Sequence, residues 1–325
     1  MFVNNKVSAS ERRNGSYASK GCIEPSLRSF FWKKVILTKN GGNIRRAGEN
    51  QEKEGRKMEK QTILFNLDDT LAYCNRYFNQ VIGMFVDQMT TWFDSLTREE
   101  IRQKQLEIDL EAISAHGLRS DRFPESFVNS YYYFCDLTGK EKKKSNIEFL
   151  RELGFKVFKI PVEPLPFMNE TLKRLKDEGH ELYLHTGGDE ANQRRKIAQL
   201  ELTTYFDHRI FISEHKDTTA LSDILKTIDA DPEITWMIGN SLRTDIVPAL
   251  EKELNAIYIP AEIEWQYNEV EVKVEPKGAY FTLNTLSEVP DAIGHHILKE
   301  GRFKNNYDQV YDTDYRKEKE DNLFT

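Results

Sequence analysis

The sequence predicts an α/β protein: a Rossmann-like parallel sheet with helices on both faces, plus an inserted all-helical cap. Three observations predict it. Short apolar runs suited to buried parallel strands recur from residue 60 onward. Beyond residue 161 they alternate with helix-length segments, the rhythm of βαβ units. Residues 76–160 instead read as helix almost throughout and interrupt that rhythm directly after the first strand.

The first strand is Thr62-Ile63-Leu64-Phe65, followed by the polar turn Asn66-Leu67-Asp68-Asp69-Thr70. Four helical segments come next. The first spans Tyr77–Phe93. The second opens on the capping box Thr97-Arg98-Glu99-Glu100 and ends near Gly117. The third follows Pro124 and carries Phe127, Tyr131, Phe134 and Cys135; the fourth holds Ile147, Leu150 and Leu153 and stops at Gly154. Within the third, Tyr131-Tyr132-Tyr133-Phe134 reads as cap core. Then follow a helix over Met168–Glu178, a strand over Glu181–His185, a helix over Glu190–Leu200 and a strand over Arg209–Ile212. The series ends with a helix over Thr219–Ile228, a strand over Thr235–Ile238, a helix over Asp245–Glu253 and a strand over Ala256–Ile259. Trp265 and Tyr267 beyond it read as packing residues. The expected organisation is a core over 58–75 and 161–298, a cap over 76–160 and a loose polar tail over 299–325. A block inserted after the first strand sits above that strand's carboxyl end, where open α/β sheets bind ligands.

Composition narrows the class. The chain has 325 residues, 39% hydrophobic and 30% charged, which excludes a collagen, a coiled-coil rod and a wholly disordered chain. Its longest apolar runs are too short for a bilayer span, so no membrane is expected. Three scattered cysteines, Cys22, Cys74 and Cys135, suit neither a disulfide framework nor a metal knuckle and fit a reducing cytoplasm.

The net charge of −7 hides a split. Residues 1–57 hold 13 Lys and Arg against five Glu, a net +8, which leaves −15 for the remainder. The basic stretch lacks a sustained amphipathic period and is expected to be disordered. Three readings stand for it: an arm that binds nucleic acid or anionic lipid, an organelle transit peptide, or sequence upstream of the true start. The last rests on Met58, just before the first strand, and on Glu54-Gly55-Arg56-Lys57, which purine-only codons can encode as in a bacterial ribosome-binding site. Without this stretch no nucleic-acid partner is expected, because a −15 remainder repels phosphate backbones.

The chemistry gathers at four strand ends: Phe65-Asn66-Leu67-Asp68-Asp69-Thr70-Leu71; Leu184-His185-Thr186-Gly187-Gly188-Asp189; Lys216; and Ile238-Gly239-Asn240-Ser241-Leu242-Arg243-Thr244-Asp245. One alone is weak, since Asp-Asp-Thr after a strand is often a helix cap. In this order, each at a strand's carboxyl end, they resemble the haloacid dehalogenase (HAD) superfamily of hydrolases, in its phosphatase-like branch with a helical cap. That family reads Asp-x-Asp-x-Thr, then Thr or Ser, then Lys, then an acidic loop, and the resemblance covers roughly residues 60–265.

The resemblance implies a Mg²⁺-dependent phosphatase of small phosphorylated metabolites. In such enzymes the first aspartate forms an aspartyl-phosphate and the second acts as acid and base. Carried over, Asp68 is the acid/base and Thr186 the phosphate donor. Lys216 is the cation that holds phosphate and nucleophile, and Gly187 lies in the phosphate pocket. The metal position falls to Asn66, the Asp68 carbonyl, Asn240 and Asp245.

Asn66 departs from this pattern, because the nucleophile's position requires an aspartate. An amide oxygen is neutral and its lone pair is delocalised, so it is a poor nucleophile. Losing such a group costs several orders of magnitude in rate. With Asn66 and Asn240, only Asp245 brings a side-chain carboxylate to the metal, so weak Mg²⁺ binding is expected. Asp189 adds a carboxylate only if its loop turns inward. Gly187 replaces a lysine of the resembling group. Glu253 replaces a helix-ending glycine, at about 1 kcal/mol if it adopts the left-handed conformation. Two functions therefore compete: a Mg²⁺-dependent phosphatase, and a non-catalytic relative that binds a phosphorylated ligand or a partner.

Overall fold

The computed structural model of the chain describes residues 59–306. The basic stretch 1–57, Cys22 and most of the polar tail lie outside the described residues.

Six strands form one parallel sheet: β1 (Thr62–Phe65), β2 (Glu181–Gly187), β3 (Ile210–Ser213), β4 (Thr235–Gly239), β5 (Asn255–Tyr258) and β6 (Tyr280–Thr282). Their order is β3-β2-β1-β4-β5-β6. The chain thus winds outward from β1 in one direction and then from β4 in the other. Phe65, the last residue of β1, pairs with Leu184 and Ile238 on its two neighbours. The reversal between β1 and β4 is the switch point of a doubly wound sheet, and its crevice opens beyond their carboxyl ends.

Alternation along the strands builds two core layers. Ile63, Phe65, Leu182, Leu184, Trp236 and Ile238 pack on one face with Leu172 and Leu175 of α5 (Met168–Asp177) and Ile197 of α6 (Glu190–Gln199). Phe206 of the short α7 (Thr203–Phe206) joins that layer. Leu64, Tyr183 and Met237 pack on the other face with Leu221 and Ile224 of α8 (Thr218–Thr227) and Ala249 and Leu250 of α9 (Val247–Glu251).

Between β1 and α5 the chain makes only helices: α1 (Asn75–Trp92), α2 (Arg98–His116), α3 (Arg122–Thr138) and α4 (Lys144–Phe155), with a 3₁₀ turn over Lys156–Lys159. They enclose a core of their own. Phe85 of α1 stacks on Phe127 of α3 with ring centroids 4.3 Å apart, and Val81, Val86, Ile101 and Leu150 complete it. The capping box that opens α2 is present: the Glu100 amide donates to Thr97 Oγ1 (3.2 Å), and the Thr97 amide donates to Glu100 Oε2 (2.8 Å). Tyr131 and Phe134 lie in this core, whereas Tyr133 is exposed.

Three features depart from expectation. The segment 245–253 does not form one helix. A wide π-type turn over Leu242–Ile246 precedes α9, because Pro248 cannot donate within a longer helix. Strand β6 has only three residues, too few to show an apolar run. The last helix, α10 (Val289–Asn306), extends into the polar segment that begins at 299. Its Val289 and Ile293 pack into the core.

Candidate active site

The Asn66 amide donates to the Ile238 carbonyl at 2.9 Å, which extends the β1–β4 ladder by one residue. Asn66 therefore stands at the carboxyl end of β1 over the switch point, buried at 7% exposure. The turn after it folds back: the amides of Leu71 and Ala72 both donate to the Leu67 carbonyl, at 2.8 and 3.0 Å. Asp69 takes the left-handed conformation, φ 54°.

The two aspartates of this turn do different things. Asp69 accepts from the amides of Cys74 and Asn75, each at 2.9 Å, and so caps α1. Burial still pushes its carboxyl up to about 7. Asp68 instead faces α6. It accepts from Lys196 Nζ at 2.6 Å and from Gln193 Nε2 at 2.9 Å. Burial alone would lower the Lys196 ammonium, but the facing Asp68 carboxylate and the neighbouring Cys74 together hold it above its ordinary value.

On the far side, β4 ends at Gly239 and delivers Asn240, Ser241 and the π-type turn. Asp245 is fully buried. Its Oδ2 accepts from the Ser241 amide at 3.0 Å and its Oδ1 from Lys216 Nζ. Gly239 is required here, since any β-carbon at that position would collide with the Asp245 carboxylate. Lys216, in the loop after β3, also donates to Asn66 Oδ1 at 2.8 Å.

The centre of the network is the other end of the Asn66 side chain. Its Nδ2 donates to the Asp68 carbonyl at 2.7 Å, to Asn240 Oδ1 at 2.8 Å and to Thr70 Oγ1 at 3.2 Å. Asn66, Asp68, Lys216, Asn240 and Asp245 thus converge through one connected set of hydrogen bonds. Thr186 stands apart from it. Its side chain is fully buried and its hydroxyl has no partner among the described residues. His185 is buried beside it, with Nε2 3.3 Å from Ser213 Oγ. Burial, reinforced by the Lys216 charge, keeps this imidazole well below its usual range and hence neutral. Asp189 caps α6 through the Asn192 amide (3.0 Å) and reaches the cap through the Ser120 amide (3.1 Å). Its carboxylate is committed to that bridge and not to the network around Asn66.

Over this network lies a cavity of about 340 Å³ between sheet and cap. Asn66, Asp68, Gly187, Lys196, Lys216 and Asn240 form its floor. Trp265, read from sequence as packing, borders it as well. Sequence reasoning missed Gln193 and Lys196. The available signal was their spacing: at i and i+3, beside Ile197, they continue the buried stripe of α6.

Residues 60–251 match the haloacid dehalogenase-like hydrolase family. The chain belongs to this family. Among its relatives is a glyceraldehyde 3-phosphate phosphatase from Pyrococcus furiosus, 30% identical over 64% of this chain and 86% of the relative. A haloacid dehalogenase-like hydrolase from Xanthomonas campestris shares the fold, with TM-score 0.63 and 24% identity over 77% of this chain and 97% of its own. A HAD hydrolase from Bacillus subtilis bound to magnesium superposes with TM-score 0.50 at 16% identity, over 72% of this chain and 98% of its own.

HAD hydrolases generally use Mg²⁺, and the donor set here does not fit that ion. The Asp68 carbonyl and Asn240 Oδ1, two of its expected oxygens, both accept from an N–H₂ group. The one side-chain carboxylate of the expected set, Asp245, is occupied by Lys216 and the Ser241 amide. Among the described residues no group of three or more His, Cys, Asp or Glu could hold a metal ion. Mg²⁺ favours octahedral sites with anionic oxygens.

Proposed function

We propose that this HAD-family protein binds a small phosphorylated molecule in the cavity beneath its cap and does not turn it over efficiently. The observation that carries this reading is the Asn66 side chain. Its nitrogen donates to the Asp68 carbonyl and to Asn240 Oδ1, and its oxygen accepts from Lys216. The group at the nucleophile's position is thus tied up in hydrogen bonds, carries no charge, and occupies the oxygens that a cation would need.

What remains suits anion binding. Lys216 and Lys196 bring two ammonium groups to the cavity floor, and Gly187 leaves the strand end open beside them. The unpartnered hydroxyl of Thr186 lies next in sequence to Gly187, and a buried donor without an acceptor is rare in a finished site. That hydroxyl does not border the cavity, so Lys216 and Lys196 carry the phosphate in this reading. Asp68, paired with Lys196, keeps the place of the acid/base without a nucleophile to serve.

Hydrolysis is the second reading, and the relative named as a glyceraldehyde 3-phosphate phosphatase favours it. Assaying the chain and its Asn66→Asp variant on an aryl phosphate with Mg²⁺ separates the two. The proposal requires the chain to stay near background while the variant gains on the order of 10²-fold or more. An unaltered chain that turns over well above background, at a rate like the variant's, overturns it. The free thiols of Cys74 and Cys135 support a reducing compartment such as the cytoplasm. No helix among the described residues is long and apolar enough to cross a membrane.

A further inference from the structure

Two buried carboxylates near the cavity are satisfied by the protein: Asp69 by two backbone amides, Asp245 by Lys216 and the Ser241 amide. A third is not. Asp109 of α2 is 8% exposed and makes no hydrogen bond or ion pair with any described residue. It borders the cavity together with Arg102, Leu106 and Ile113. The spacing i, i+4, i+7, i+11 puts these four on one stripe of α2 facing inward.

The cap wall around Asp109 sets apolar side chains such as Phe78, Ile82 and Phe123 beside Arg102, Arg119 and Arg122. A carboxyl group in such a wall is costly to keep unless something pairs with it. Burial raises its pKa to about 7, so a modest gain from a partner is enough to hold it ionised. Arg102 is bonded to Asn79 and Arg119 to Asp121, and no described residue pairs with Asp109, whereas a ligand lying in the cavity is placed to do so.

We propose that Asp109 recognises the organic end of the ligand, accepting a hydrogen bond from a hydroxyl or ammonium group of a phosphate monoester whose phosphate sits at Lys216. This deepens the phosphate-binding reading above and rests on it. The cavity's volume suits a ligand of small-metabolite size. Its two ends then have complementary demands: ammonium groups for the phosphate and a carboxyl for the donor. A ligand with only an alkyl tail would leave Asp109 buried and unpaired.

Calorimetric titration of the full chain with inorganic phosphate, propyl phosphate, 3-hydroxypropyl phosphate and 3-aminopropyl phosphate tests this. At least one donor-bearing ester should bind at least tenfold tighter than propyl phosphate, and Asp109→Leu should abolish that preference. Should the leucine variant not fold, the near-isosteric Asp109→Asn serves in its place. It keeps an acceptor but no charge, so the amino ester should lose affinity. Equal affinities for the three esters, a preference unchanged in Asp109→Leu, or an amino-ester affinity unchanged in Asp109→Asn overturn the role of Asp109 while leaving phosphate binding intact. If neither phosphate nor any ester binds, the phosphate reading fails and takes this inference with it.

Discussion

The side-chain nitrogen of Asn66 donates to the side-chain oxygen of Asn240 across 2.8 Å. Two amides therefore bridge the carboxyl ends of β1 and β4, at the switch point where the resemblance to HAD phosphatases places a cation between carboxylates. An N–H₂ group can satisfy these oxygens without a metal because it carries two hydrogens directed at two acceptors.

Replacing Asn66 by Asp inverts that arrangement. The new carboxylate oxygen would face the Asp68 carbonyl and Asn240 Oδ1, acceptor against acceptor. Without a divalent ion the variant should lose about 1–3 kcal/mol of stability, the penalty of unpaired buried acceptors. Millimolar Mg²⁺ should restore part of the loss, whereas the unaltered chain should not respond. Thermal melts with and without the ion read both effects. A melt of the unaltered chain that rises with Mg²⁺ would contradict the assignment of Asn66.

Lys216 and Asp245 form an ion pair whose side chains are 2% and 0% exposed. Such a pair adds little against an apolar substitute, but breaking one half is expensive. Lys216→Met should cost about 3–5 kcal/mol, because it leaves the Asp245 carboxylate buried beside Gly239. The double change Lys216→Met with Asp245→Asn should cost less than the sum of the single changes, by about 1–3 kcal/mol. Urea denaturation of the four chains closes the cycle. Strict additivity would mean that the pair is not coupled.

Much of the fold was legible because the core strands are buried on both faces and read as continuous apolar runs, as Thr62–Phe65 does. The cap was legible because α1, α3 and α4 carry amphipathic stripes and α2 opens on the Thr97–Glu100 capping box. Elements set by tertiary contacts were not: β6 is held by pairing to β5, and the turn over Leu242–Ile246 by the side chains of Ser241 and Asp245. In the site, Asn66, Asp68, Lys216, Asn240 and Asp245 could be named from their strand ends. Lys196 and Gln193 were not, because a lysine in a polar helix reads as solvated until its ion pair with Asp68 is seen, and only their spacing beside Ile197 hints otherwise.

Glu253 takes φ 62° at the end of α9, the left-handed conformation expected from its place after the helix. The Leu254 amide returns to the Ala249 carbonyl at 3.0 Å, so the turn itself is well made. A side chain in that conformation costs about 1–2 kcal/mol, offset in part by the greater chain entropy of an unfolded glycine. Glu253→Gly should therefore stabilise the protein by about 0.5–1 kcal/mol. The ion pair to Lys277 will not reverse the sign, because both side chains are more than half exposed. Glu253→Ala retains the β-carbon and should gain nothing, which makes it the control in a paired melt.

Asp109 carries a pH signature that needs no ligand. Burial raises its carboxyl from 3.8 to about 7. Between these values the folded chain holds a proton that the unfolded chain has released. Stability from this group is therefore complete below pH 4, falls as pH rises through that window, and is flat above about 7. Asp109→Asn removes the titration. Relative to that variant, the unaltered chain should lose up to a few kcal/mol between pH 4 and pH 7.5. Denaturant midpoints of both chains across that range measure the difference directly. If the two curves run parallel, Asp109 titrates like an exposed carboxylate and is not buried in the cap wall.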